Sequence, residues 1–223
     1  MPTQSAITLV DALAQEANGV AAPAVDDALR SQAAFVRALV DEIGRHHPSD
    51  RRMTDLHEQL AEELARLAAL AEEDSPTADG AVSGQPLDVL VVDDDYGMLE
   101  AQCAVVRDLG YPCRGAASGQ DALREYERRP AAIVLSDWHM PGMTGLELCA
   151  ALKRLDTHPY VILVTAHEST ELPEDVRGAV DDFLPKPIDV DQLSGRLRAA
   201  ERLVRAVRVL ESVKGRLPKA PGH

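Results

Sequence analysis

Between residues 87 and 200 the sequence alternates short β-branched and aliphatic runs with longer segments whose apolar residues recur every three or four positions. The runs fall at 87–92, 111–116, 132–135, 160–164 and 182–184. The helical periodicities fall at 98–109, 120–128, 146–155 and 173–179, with a last one from about 189. A run as short and apolar as 87–92 suits a strand buried on both faces, which requires helices on both sides of a parallel sheet. Short connections between the units leave one architecture: an α/β fold, a doubly wound five-stranded parallel sheet.

The rest of the chain reads as helix. Residues 1–73 are expected to form a helical hairpin. Val25, Leu29, Val36, Leu39, Val40 and Ile43 mark its first arm, and Met53, Leu56, Leu60, Leu64, Leu67 and Leu70 its second. His46-His47-Pro48-Ser49 breaks the pattern between them, and a weaker helical segment at 7–17 precedes both. Residues 74–86 are small, polar and rich in glycine and proline, and read as a linker. The sheet domain is placed at 87–200. The last helix carries its stripe on through Leu193, Leu197, Ala200, Val204, Val207 and Leu210. Residues 201–223 are thus an extension of that helix plus a tail, about twice the length that covering a sheet requires at about 1.5 Å per residue.

Apolar residues make up 45% of the chain and aromatics only 3%, so the core is aliphatic. The net charge of −14 argues against non-specific nucleic-acid binding by the whole chain. The charge is uneven: residues 186–223 carry 9 bases against 4 acids. A basic end on an acidic body suggests internal docking or an acidic partner. Cys103, Cys113 and Cys149 lack metal-ligand spacing and read as reduced thiols. No basic segment followed by an apolar core opens the chain, and no apolar run approaches the roughly 20 residues of a membrane span. A soluble, cytoplasmic protein is expected.

In a sheet of this class, sites form where the strands end. Asp93 and Asp94 follow the first strand and Asp137 the third. Thr165 follows the fourth and Lys186, with Pro187 after it, the fifth. Crowded carboxylates repel, and a hard divalent cation such as Mg²⁺ relieves the repulsion with oxygen ligands. Acids, a cation, a hydroxyl and an ammonium around one crevice make a phosphoryl-transfer site, with one acid as nucleophile.

Leu-Val-Val-Asp93-Asp94-Asp95, Leu-Ser-Asp137-Trp-His-Met-Pro-Gly-Met-Thr-Gly, Val-Thr165-Ala and Asp-Asp-Phe183-Leu-Pro-Lys186-Pro187 together resemble the full signature of response-regulator receiver domains, over about half the chain. The resemblance implies a flavodoxin-like receiver fold. It implies Asp137 as phosphoacceptor, phosphorylated by a histidine kinase or phosphotransfer protein with Mg²⁺ or Mn²⁺. Asp94 and Asp137 would be direct metal ligands, Asp93 would act through water, and the backbone carbonyl of His139 would be a further ligand. Thr165 would bind the phosphoryl group and Lys186 pair with it. Phe183 would be an aromatic switch that turns inward on phosphorylation, and the Lys186–Pro187 bond would be cis. His139 and His167, two residues beyond Asp137 and Thr165, flank the phosphoryl group in such domains. Dephosphorylation tuning by these imidazoles stands beside a plain reading as exposed loop histidines.

The ends of the chain carry no helix-turn-helix and no enzyme motif. Output is therefore expected through protein–protein contacts with an unknown downstream protein or through oligomeric state, with no DNA-binding domain and no membrane segment. The hairpin could pair into a homodimeric four-helix bundle, its leucine stripe being large to leave exposed. Alternatively it could fold back on the last helix, where Arg196, Arg198, Arg202, Arg205 and Arg208 would face its acids. His57-Glu58 beside the stripe reads as a solvated helix-face histidine rather than a phosphotransfer site. Two alternatives remain at this stage. One is an intermediate phosphocarrier in a multistep relay. The other is a haloacid-dehalogenase-like phosphatase built on Asp93-x-Asp95, whose lysine would then stand in the wrong order.

Overall fold

The computed structural model describes residues 8–10, 23–45, 52–72, 87–155, 157, 159–166 and 180–216. The expected break at 46–49, the linker at 74–86, His167, the helix at 173–179, the tail beyond 216 and nearly all of the weak segment at 7–17 lie outside them. The chain divides into two compact units.

The helical unit contains α1 (Pro23–Arg45) and α2 (Arg52–Glu72). Each buries one stripe at three- and four-residue steps: Val36, Leu39, Val40 and Ile43 on α1, and Met53, Leu60, Leu64 and Leu67 on α2. The Gln32 amide on α1 donates to the Glu63 carbonyl on α2 at 3.3 Å and also to its carboxylate. The same unit includes the chain from Arg202 onward, where Leu203, Val204, Ala206, Val207 and Leu210 are buried. Arg202 lies 3.6 Å from the Glu58 carboxylate. Leu60, Leu64 and Leu67 of the expected stripe are thus buried within the chain. His57 departs from the expectation of a solvated face: it is 1% exposed, inside the same stripe of α2 as Leu60 and Leu64.

The second unit spans Gln85–Glu201 and holds the sheet. Its strands are β1 (Val89–Val92), β2 (Cys113–Ala116), β3 (Ile133–Asp137), β4 (Tyr160–Thr165) and β5 (Asp182–Pro185). All neighbours are parallel, in the order β2-β1-β3-β4-β5, the doubly wound order of flavodoxin-like folds. Every residue of β1, β3 and β4 is buried, as uniform apolar strands between two helical layers must be. β2 is an edge strand and only half buried. It starts at Cys113 rather than 111, because the chain is still turning there: Gly110 takes φ +92° and Pro112 has no N–H to give a ladder.

The intervening helices are α3 (Tyr96–Asp108), α4 (Gly119–Arg128) and α5 (Gly145–Leu152), each started by a side-chain cap. Asp95 accepts from Met98 N at 3.0 Å and Ser118 from Asp121 N at 3.1 Å. Thr144 and Glu147 form a reciprocal capping box, whose hydrogen bonds hold the Glu147 carboxyl below its ordinary range. The last helix, α6 (Val190–Arg216), contributes its first half to this unit, where Leu193, Leu197, Ala199 and Ala200 are buried. Arg196 does not face the hairpin's acids. It is buried and ion-paired with Asp182 at the start of β5.

Candidate functional site

Four strand ends converge on one side of the sheet. Asp93 follows β1, Asp137 is the last residue of β3, Thr165 the last of β4, and Lys186 follows β5. The order β2-β1-β3 sends the connections after β1 and β3 to opposite faces and opens a crevice between them. Carboxylate oxygens of Asp93, Asp94 and Asp137 all lie within 4.8 Å of one another. Asp93 and Asp137 are buried and Asp94 is exposed. The Lys186 ammonium closes the cluster, 3.0 Å from Asp137 Oδ1 and 4.0 Å from Asp93 Oδ2.

Asp93, Asp137 and Lys186 are each held by backbone. Asp137 Oδ1 accepts from Trp138 N at 2.8 Å, and that N–H also points at the Val164 carbonyl at 3.0 Å. Lys186 N donates to the Thr165 carbonyl at 2.7 Å, which ties the lysine's chain to the end of β4. The Lys186–Pro187 bond is cis. Asp93 Oδ1 accepts from Asp95 N at 2.9 Å. Burial pushes the Asp93 carboxyl above its ordinary range, opposed by the Asp95 N–H and by the Lys186 charge. Gly145 lets α5 begin directly against the end of β3: its N–H donates to the Trp138 carbonyl at 2.8 Å, and a Cβ there would overlap the Asp137 carbonyl oxygen.

Three rings run beside the cluster. Phe183 is 5.9 Å from Trp138 between centroids, tilted by 33°, and Trp138 stacks on His139 at 5.6 Å and 11°. Phe183 is only 2% exposed and belongs to the core around Val92 and Trp138. His139 is exposed.

Oxygen donors of this kind, carboxylates with room left for water, suit Mg²⁺ or Mn²⁺ rather than a thiophilic metal. The structure brings together Asp93, Asp94, Asp137 and Lys186 and sets Thr165 at the neighbouring strand end. Two residues escaped the sequence reading. Trp138 joins the Phe183 ring to the acid before it. Gln102, on α3, donates from Nε2 to Asp93 Oδ2 at 2.8 Å. The signal for Gln102 was present: it is the polar residue inside the stripe Leu99, Cys103, Val106.

Residues 89–198 match the family model described as response regulator receiver domain. The transcriptional regulatory protein KdpE of Mycobacterium tuberculosis is 32% identical over 123 residues, 55% of this chain and 54% of KdpE. The sensory transduction protein RegX3 of Mycolicibacterium smegmatis is 35% identical over 116 residues, 51% of this chain and 50% of RegX3. The chain therefore spans about half the length of the curated relatives it matches. Among solved structures, a CheY-like receiver domain from Methylobacillus flagellatus aligns with 25% identity and a TM-score of 0.49, covering 52% of this chain and 99% of that one. No helix among the described residues is long and apolar enough to cross a membrane. From residue 89 to residue 198, the chain belongs to the response regulator receiver domain family of two-component signalling.

Proposed function

We propose that the chain is a response regulator phosphorylated on Asp137 by a histidine kinase or phosphotransfer protein, and that the phosphoryl group switches its contacts with other proteins or its oligomeric state. The observation that carries this reading is the Lys186 ammonium 3.0 Å from a buried Asp137 carboxylate, with two more acids within 4.8 Å. In this reading an Asp137 carboxylate oxygen attacks phosphorus, the bond to the donor's imidazole nitrogen breaks, and the imidazole takes up a proton. Lys186 neutralises charge on the transferred group, and the Thr165 hydroxyl donates to one of its oxygens. The backbone N–H of Trp138 holds Asp137 oriented. Asp93, Asp94, Asp137 and the His139 carbonyl would hold Mg²⁺, which supplies charge neutralisation between nucleophile and phosphoryl oxygens. His139 and, by sequence, His167 would tune dephosphorylation.

The proposed organisation is a receiver at 87–200, a linker at 74–86, a helical module at 1–73 and a helix extension from 201. The burial of Leu60, Leu64 and Leu67 supports internal docking of the hairpin over pairing through an exposed stripe. Incubation of the full chain with acetyl phosphate and Mg²⁺, followed by intact mass, tests the reading. Wild type should gain one phosphoryl group only when Mg²⁺ is present, and Asp137→Asn none. Incorporation that ignores EDTA, or that survives Asp137→Asn, would sink it. Solution mass with and without beryllofluoride plus Mg²⁺ then separates an oligomeric output from a partner-binding one.

A further inference from the structure

Gln102 faces the sheet from α3, between Leu99, Cys103 and Val106, all buried. It is itself 4% exposed. A buried amide left without its hydrogen bonds destabilises the fold. Here one half is satisfied and the other is not. Nε2 donates to Asp93 Oδ2 at 2.8 Å, while Oε1 has no hydrogen-bond partner among the described residues. Turning the amide over would set Oε1 against the Asp93 carboxylate, acceptor against acceptor, so the orientation follows from chemistry. An apolar side chain of the same size would fill this layer without an orphan oxygen. The polarity at position 102 is therefore explained by what it touches, and that is the first acid of the cluster.

We propose that Gln102 is a positioning residue of the acidic pocket: its amide N–H fixes the Asp93 carboxylate, and its carbonyl oxygen accepts from a water carried by the divalent cation. The inference rests on reading Asp93, Asp94 and Asp137 as the cation's surroundings. Asp93 Oδ1 is held by the Asp95 N–H and Oδ2 by Gln102. With Gln102 gone, the Lys186 ammonium, now 4.0 Å away, is the nearest cation to Oδ2 among the described residues. A carboxylate released toward that lysine is withdrawn from the cation, and it competes with Asp137 for the same ammonium. Mg²⁺ keeps several waters, each of which needs an acceptor, and an unpartnered buried carbonyl next to the cluster supplies one. Groups that hold a metal's surroundings in this way contribute about 10–100-fold to affinity.

The test is Mg²⁺ titration by calorimetry on the full chain: wild type, Gln102→Met, Asp93→Asn and the double variant, with thermal melts of each. Gln102→Leu is measured alongside, so that a folding defect peculiar to methionine does not stand in for a binding result. The expected result is Mg²⁺ binding weakened by about tenfold or more in both apolar variants, with no loss of thermal stability and no further weakening in the Asp93→Asn background. Wild-type affinity in the apolar variants overturns the inference, and so does an equal loss with and without Asp93. If wild type takes up no Mg²⁺, or Asp137→Asn binds it as well as wild type, the reading of the acids as the cation's site fails, and the inference with it.

Discussion

Replacing Gly145 by alanine probes the closest backbone approach in the site. The new Cβ would overlap the Asp137 carbonyl oxygen and lie 2.8 Å from Leu163 Cδ1 and 3.0 Å from Trp138 Cα. Leu163 can change rotamer, but the other two atoms belong to the backbone of Asp137 and Trp138 and cannot. Relief requires α5 to move away from β3, which breaks the 2.8 Å bond from Gly145 N to the Trp138 carbonyl. Overpacking of this kind costs about 1–3 kcal/mol, with backbone clashes at the upper end. The gain from replacing glycine in a helix is at most about 1 kcal/mol, so a net loss of about 2 kcal/mol is expected. For a receiver of this size that lowers Tm by roughly 5–10 °C. The single tryptophan of the chain, Trp138, reports on this region directly by fluorescence. Gly195→Ala on α6 is the control, since nothing lies within 4 Å of its would-be Cβ. It should stabilise by about 0.5–1 kcal/mol. A Gly145→Ala protein that melts at or above the wild-type temperature would refute the close-approach account.

Three further outcomes follow from the same structure. Arg196→Met strands a buried Asp182 carboxylate and should cost about 3–5 kcal/mol at pH 8. Burial raises the Asp182 carboxyl from 3.8 to about 6, against the pull of Arg196. The folded form then binds a proton more readily than the unfolded one between these values, so this group's contribution falls as pH rises through that window and stays low above it. Losing Arg196 extends the penalty upward in pH. Denaturant melts should therefore show the variant's deficit shrinking from pH 8 to pH 5, and a deficit that grows on acidification would contradict the pairing. Lys186→Ala should slow phosphoryl incorporation from acetyl phosphate on the order of 100-fold, measured by intact mass against time, while Mg²⁺ binding persists. Leu64→Ala, at a fully buried position of α2, should cost the helical unit about 2–5 kcal/mol, seen as faster amide exchange along α1 and α2.

The sheet and its acidic crevice were legible in the sequence because both follow from local rules. A strand buried on both faces must be apolar until it nears its end, and β1, β3 and β4 are apolar up to Val92, Leu135 and Val164. The residues that end such strands fall on one edge, so Asp93, Asp137, Thr165 and Lys186 could be placed before any coordinates. What escaped depends on side-chain direction. Gln102 is one polar residue in an apolar stripe, and only its rotamer reveals that it reaches Asp93. His57 sits within the stripe of Leu60 and Leu64, and its burial depends on the unit around it. Arg196 shares a helix with Arg198 and Arg202, and only helical phase separates the one that pairs with Asp182 from the one beside Glu58.

The central claim is that Asp137, and not Asp93 or Asp95, carries the phosphoryl group. Borohydride reduction of the acetyl-phosphate-treated chain, followed by peptide mass spectrometry, reads this directly, because an aspartyl phosphate is converted to homoserine where it stands. The expected result is homoserine at position 137 alone. Homoserine at 93 or 95, with position 137 unchanged, would contradict the account.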